Sequence, residues 1–88
     1  MDFGDVIKGF KEEYVLGLGE DNVKKFARKG WNGKGMWIAV CLPCGSMTVD
    51  DAQYGMQPFI VMKTAQGTLV PWLASQTDML ADDWEAVQ

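Results

Sequence analysis

The sequence predicts an α+β fold: a small antiparallel sheet with an N-terminal amphipathic helix and a short C-terminal helix, assembling as a homo-oligomer. Three patterns carry that expectation. Apolar residues recur at helical spacing near the start, a strong apolar run is entered through a glycine-rich turn, and a second strand pair surrounds Ala65-Gln66-Gly67.

Phe3, Val6, Ile7 and Phe10 fall at i, i+3, i+4 and i+7, one stripe of a helix starting near Asp2. Gly17-Leu18-Gly19-Glu20-Asp21-Asn22 breaks the pattern and reads as an exposed loop. Val23 to Arg28 alternates weakly, and Gly30 to Gly35 turns the chain before the strongest strand, Met36 to Leu42. These two strands form a hairpin whose tip is the glycine-rich segment. Pro43, Gly45 and the polar stretch from Ser46 to Gln57 make a connection, with Met47-Thr48-Val49 as a short edge strand. Phe59-Ile60-Val61-Met62-Lys63 and Thr68-Leu69-Val70 form a second hairpin, where Gly67 supplies the positive φ that the turn requires. Pro71 cannot donate to a ladder and ends that strand. Leu73 to Leu80 carries helical spacing, with Ser75 or Thr77 as cap and Asp78 in the first turn. Asp83 to Val87 reads as a closing strand rather than another helical turn.

Residues 1–88 form a single domain, near the size at which folding buries only about 60% of the unfolded surface. Four Trp, four Phe, two Tyr and six Met are more apolar side chain than so small a core hides, which favours subunit interfaces. A net charge of −4 argues against a general nucleic-acid binder. A small anion needs only a local cluster, and Lys24, Lys25, Arg28, Lys29 and Lys34 provide one; a solvated basic hairpin is the plainer explanation. No apolar run is long enough to span a bilayer, and the acidic N-terminus does not resemble a secretion signal, so the expected location is the cytoplasm. Cys41 and Cys44 form a single C-x-x-C without any histidine in the chain, and are read as structural.

The segment Gly30-Trp31-Asn32-Gly33-Lys34-Gly35-Met36 combines a stacking surface, an amide, a cation and three glycines. Glycines let backbone N–H groups approach a phosphate, an indole offers a face to a flat base, and Lys34 supplies charge. The same residues also suit an ordinary tight turn, with Trp31 packed on the sheet. Trp72 is likewise either core or ligand shelf. Ser75, Gln76, Thr77 and Asp78 exceed what capping one helix needs, leaving groups that could read ribose hydroxyls or a base edge. No histidine, nucleophile elbow or Walker A sequence is present, since Lys34 is followed by Gly35. No catalytic residue, cofactor or metal site is therefore assigned. Two rivals stand beside a binding protein: an oligomeric protein-interaction module, and a metal-assisted nucleotide hydrolase using Asp78 or Asp82.

The run from Ala27 to Met36, then Gln57-Pro58 with Met62-Lys63-Thr64-Ala65, and finally the block from Gly67 to Trp84 resemble the phage Thoeris anti-defence proteins of the second type. The resemblance covers about half the chain, in order. Glu13 to Asn22 is longer, and Cys44 to Met56 shorter, than the corresponding family segments. The resemblance implies a phage-encoded homotetrameric sponge, acting in the host cytoplasm without catalysis. Its ligand would be glycocyclic ADP-ribose, the signal made by bacterial TIR-domain immune enzymes. Some members are also understood to hold cyclic dinucleotides, signals of the CBASS defence, in separate pockets. Carried onto this chain, Trp31 would stack on the adenine, Arg28 and Lys34 would face the pyrophosphate, and Asn32 and Gly33 would complete the tip. Across a subunit boundary, Trp72, Ser75, Gln76, Thr77 and Asp78 would take base and ribose hydroxyls. No nucleic-acid polymer or membrane is implied as a partner.

Overall fold

The computed structural model describes residues 1–16, 23–41 and 46–87. The loop read at Gly17 to Asn22, the end of the long strand at Leu42, and Cys44 lie outside the described residues. Helix α1 spans Phe3–Leu16, followed by strands β1 (Lys25–Arg28), β2 (Trp37–Cys41), β3 (Ser46–Val49), β4 (Ala52–Gly55), β5 (Phe59–Lys63) and β6 (Leu69–Pro71). A short helix α2 (Gln76–Leu80) and strand β7 (Trp84–Val87) complete the order. The main sheet is antiparallel with strand order β6-β5-β2-β1-β7. The α+β expectation holds, including both hairpins and the closing strand.

Helix α1 begins where Asp2 can cap it. Asp2 Oδ1 accepts from the Asp5 N–H at 2.9 Å, and the Asp5 carboxylate accepts from the Asp2 N–H at 3.1 Å, a reciprocal capping box. Val6 and Phe10 then point into the sheet and are buried with Phe26, Ile38, Val40 and Trp84, so the helical stripe and one face of alternate strand residues make the core. Gly9 is the point of closest approach: a Cβ there would stand 2.8 Å from Phe26 Cζ, a ring already held edge-on by Phe10 at 5.3 Å. A larger residue would push the helix off the sheet. Farther along, Glu13 is 2% exposed and its Oε1 accepts from the Lys24 N–H at 2.7 Å. That charge-assisted bond ties the helix to the entry of β1 and satisfies a carboxylate that burial would otherwise penalise.

Two elements differ from the sequence reading. Met47 to Val49 is a strand as read, within β3, but the polar connection after it also holds β4, and the two pair in a hairpin separate from the main sheet through Met47↔Tyr54 and Thr48↔Gln53. Its turn places Asp50 (φ 50°) and Asp51 (φ 65°) in the left-handed region that Asp tolerates better than most residues, a device hidden from a search for glycine. The second difference is that the helix read over Leu73 to Leu80 begins only at Gln76. The Trp72 N–H donates to Ile60 O at 2.9 Å, prolonging the extended pairing, and Ser75 starts the helix as its cap.

Candidate functional site

The predicted residues converge at one end of the sheet, where the tip between β1 and β2 meets α2 and the start of β7. The tip is closed by its own backbone. Trp31 N–H donates to Arg28 O at 2.9 Å, while Trp31 O accepts from Lys34 N–H at 2.9 Å and Met36 N–H at 3.2 Å. Asn32, Gly33 and Lys34 form the intervening 3-10 turn. Gly30 (φ 98°) and Gly35 (φ 67°) take the left-handed conformations that let the chain enter and leave it. Lys63 Nζ donates to Gly35 O at 2.8 Å and braces the exit.

Inside the tip, Trp31 is half-buried in an aromatic cluster. Its ring meets Trp84 at 5.3 Å (77°) and Trp72 at 6.2 Å (81°), both edge-to-face. Phe3 closes the group, 5.4 Å from Trp84 and 6.2 Å from Trp72. Edge-to-face contacts align ring edges with the negative faces of their neighbours, so each indole has a fixed orientation. The structural explanation offered for Trp31 and Trp72 is thus realised, and it is compatible with ligand contact through the exposed part of each ring. Both tryptophans belong to one chain here and touch each other.

Arg28 is the electrostatic centre. Its Nε donates to Asp83 Oδ1 at 3.0 Å and an NH1 proton to Asp78 Oδ1 at 3.2 Å, with 23% of the side chain exposed. The Asp83 hydrogen bond, then that of Asp78, hold the guanidinium protonated more firmly than usual. Among the described residues, two of its five N–H donors are engaged, by Asp83 and Asp78. The nearby cations without side-chain partners among the described residues are Lys29 and Lys34, both exposed.

Asp78 links this centre to α2. Ser75 caps the helix through a capping box: Asp78 N–H donates to Ser75 Oγ at 3.1 Å, and Asp78 Oδ2 accepts from Ser75 N–H at 3.1 Å and from its hydroxyl at 2.8 Å. Trp84 Nε1 donates to Asp78 O at 2.9 Å, pinning the same residue from the core. Burial pushes the Asp78 pKa up, but the Ser75 hydrogen bonds and Arg28 outweigh it and hold the carboxyl below its ordinary value of 3.8. A carboxyl depressed on folding contributes stability above its unfolded pKa and loses it as pH falls through the folded value. Urea titrations should therefore show the protein weakening progressively below about pH 4. In Asp78→Asn that acid-dependent part should shrink, while stability at neutral pH drops.

Of the four polar residues read at Ser75 to Asp78, Ser75 and Asp78 are thus occupied by capping. Gln76 and Thr77 are exposed and make no side-chain hydrogen bond among the described residues. Sequence reasoning misses Asp83, Trp84 and Phe3. The register Arg28↔Trp84 brings Asp83 beside the guanidinium, and no local signal announces a pairing between residues more than fifty positions apart. Among the described residues, no three of Cys, Asp or Glu converge as metal ligands. No helix there is long and apolar enough to cross a membrane.

Two similarities bear on this site. The model of the Thoeris anti-defense 2-like domain matches residues 1–87. A Bacillus phage SP01 protein described as "Thoeris anti-defense 2" is 35% identical over 96 aligned residues, spanning 99% of this chain and 94% of the relative. The match runs through α1, the tip, α2 and β7 alike. The chain belongs to the Thoeris anti-defence 2-like family.

Proposed function

We propose that residues 1–88 act as one ligand-sequestering domain, a sponge that captures glycocyclic ADP-ribose in the host cytoplasm and holds it without cleavage. Family membership supplies the pathway; the observation that supports a nucleotide is the edge-to-face Trp31–Trp72 pair, with Lys34, Gln76 and Thr77 making no side-chain hydrogen bond among the described residues. The indoles offer apolar surface to adenine, and Lys34 with Arg28 offers charge to the pyrophosphate. Asn32 and Gly33 complete the tip, while Gln76 and Thr77 are the hydroxyl readers that capping leaves available. Ser75 and Asp78 serve by fixing α2. Nothing in this arrangement requires a general acid, a nucleophile or a metal.

The domain works as a homo-oligomer, a homotetramer in this reading. Leu73 is 92% exposed and Leu80 84%, and Leu69 and Met79 are exposed as well, apolar area of the kind that a second subunit would cover. Cyclic dinucleotides belong to the proposal as a second ligand class, in a pocket separate from the tip.

Ligand binding to the folded state alone raises stability by about 2.7 kcal/mol when free ligand is a hundredfold above Kd. For a domain of this size, that corresponds to a melting-temperature rise of roughly 10–20 °C. Calorimetric melting with glycocyclic ADP-ribose should show such a rise. A protein-interaction module would melt at the same temperature with or without it.

A further inference from the structure

We infer that the face of the main sheet opposite α1 is the docking surface for a second copy of this chain, sheet against sheet. This inference deepens the homo-oligomeric part of the proposed function and rests on it.

Strand residues alternate between faces. Phe26, Ile38, Val40 and Trp84 point toward α1 and are buried. Their neighbours point the other way, and only the two alanines, Ala27 and Ala39, are buried there. Trp37, Phe59 and Val61 on that face are half-buried, although each is large and apolar. The β3–β4 hairpin is exposed on both of its own faces, so it does not seal them. An antiparallel sheet with one solvated face alternates apolar with polar residues; this one carries large apolar residues on both, with Lys25, Lys63 and Glu85 among them on the second.

The register explains why the occupant is a second copy. β1 pairs with β7 through Ala27↔Glu85, and β2 with β5 through Trp37↔Lys63. The β1–β2 pair Phe26↔Ile38 sets Ala27 beside Trp37. One row across the face therefore reads Glu85, Ala27, Trp37, Lys63 and, on edge strand β6, Leu69: a negative charge, a small residue, a large ring, a positive charge and an exposed leucine. A two-fold axis running along the strands between β1 and β2, midway between two stacked sheets, superimposes the four residues from Glu85 to Lys63 on their own reverse and leaves Leu69 of each copy past the partner's β7 edge. Glu85 of each copy then lies over Lys63 of the other, and Trp37 over Ala27. Charge and shape are both self-complementary, as an isologous interface requires. In the next row, Lys25 Nζ lies 5.4 Å from the centre of the Trp37 ring, which keeps that ammonium partnered when water leaves.

Charge reversal tests this outside the buried core, with Lys63→Glu also removing the donor to Gly35 O. Glu85→Lys alone and Lys63→Glu alone each place two like-charge pairs in the interface, and should weaken self-association at least about tenfold by sedimentation velocity. Mixing the two variants should restore the wild-type assembly, because the lysine introduced in one variant then meets the glutamate introduced in the other, and the native Glu85–Lys63 pair is kept on the opposite side. Circular dichroism and urea unfolding of each variant confirm that it is folded. Cross-rescue cannot come from changes within one chain. Variants that assemble like wild type, or a mixture as dissociated as its components, would overturn the surface assignment while leaving an oligomeric sponge intact. A wild-type protein that sediments as a monomer would overturn both.

Discussion

Replacing Trp84 with Ala is expected to cost about 3–5 kcal/mol of unfolding free energy, the range for truncating a buried aromatic. Trp84 is 2% exposed and stands at the centre of the aromatic cluster, against Phe3, Trp31 and Trp72. Its removal leaves a cavity and also strips the Asp78 carbonyl of its Nε1 donor. Small domains have only about 5–15 kcal/mol in total, so a large share of the folded population is at stake. Urea unfolding measures the cost directly. Trp84→Phe fills much of the cavity without restoring the donor, and should fall between wild type and the alanine variant. A loss below about 1 kcal/mol in Trp84→Ala would mean that the cluster is not the centre of the fold.

The second large effect concerns binding. Trp31→Ala should weaken capture of glycocyclic ADP-ribose by about 1–3 kcal/mol, the worth of one base stacked on an aromatic ring. That is roughly a 5- to 150-fold rise in Kd, readable by titration calorimetry. The structure adds a requirement that the sequence does not suggest. Because Trp31 packs edge-on against Trp84 and Trp72, its truncation also loosens the cluster. Affinities must be compared well below the variant's own melting temperature. Trp31→Phe keeps an aromatic face and should retain most of the affinity. Wild-type affinity in folded Trp31→Ala would remove this residue from the binding site.

Local features of the fold are legible where one short pattern decides them. The stripe Phe3, Val6, Ile7, Phe10 places α1, the Gly30 and Gly35 turn places the first hairpin, and Gly67 the second. Ser75 and Asp78 mark the cap of α2, although Leu73 suggests an earlier start that Trp72 forestalls by bonding to Ile60. The β3–β4 hairpin is legible only in part, because its turn uses two aspartates at positive φ where glycine is the usual signal.

The segments that carry the proposed site residues are legible in the sequence; the contacts between them are not. From sequence Arg28 is a free cation, and the fold gives it two carboxylate partners, one from α2 and one beside β7. Trp31 and Trp72 read as shelves on opposite walls, and they touch within one chain around Trp84. Both outcomes depend on β7 pairing with β1, a contact set by the topology of the whole sheet rather than by any local spacing. Among the described residues, Lys34, Gln76 and Thr77 make no side-chain hydrogen bond or ion pair, as the roles proposed for them require.

Capture without conversion is the central claim, and one measurement addresses it directly. The purified protein is mixed with glycocyclic ADP-ribose, free ligand is removed by filtration, the protein is denatured by heat, and the released molecule is identified by mass spectrometry. Intact ligand in stoichiometric amount is the expected result. Release of a cleaved or rearranged nucleotide, or retention of none, would contradict it.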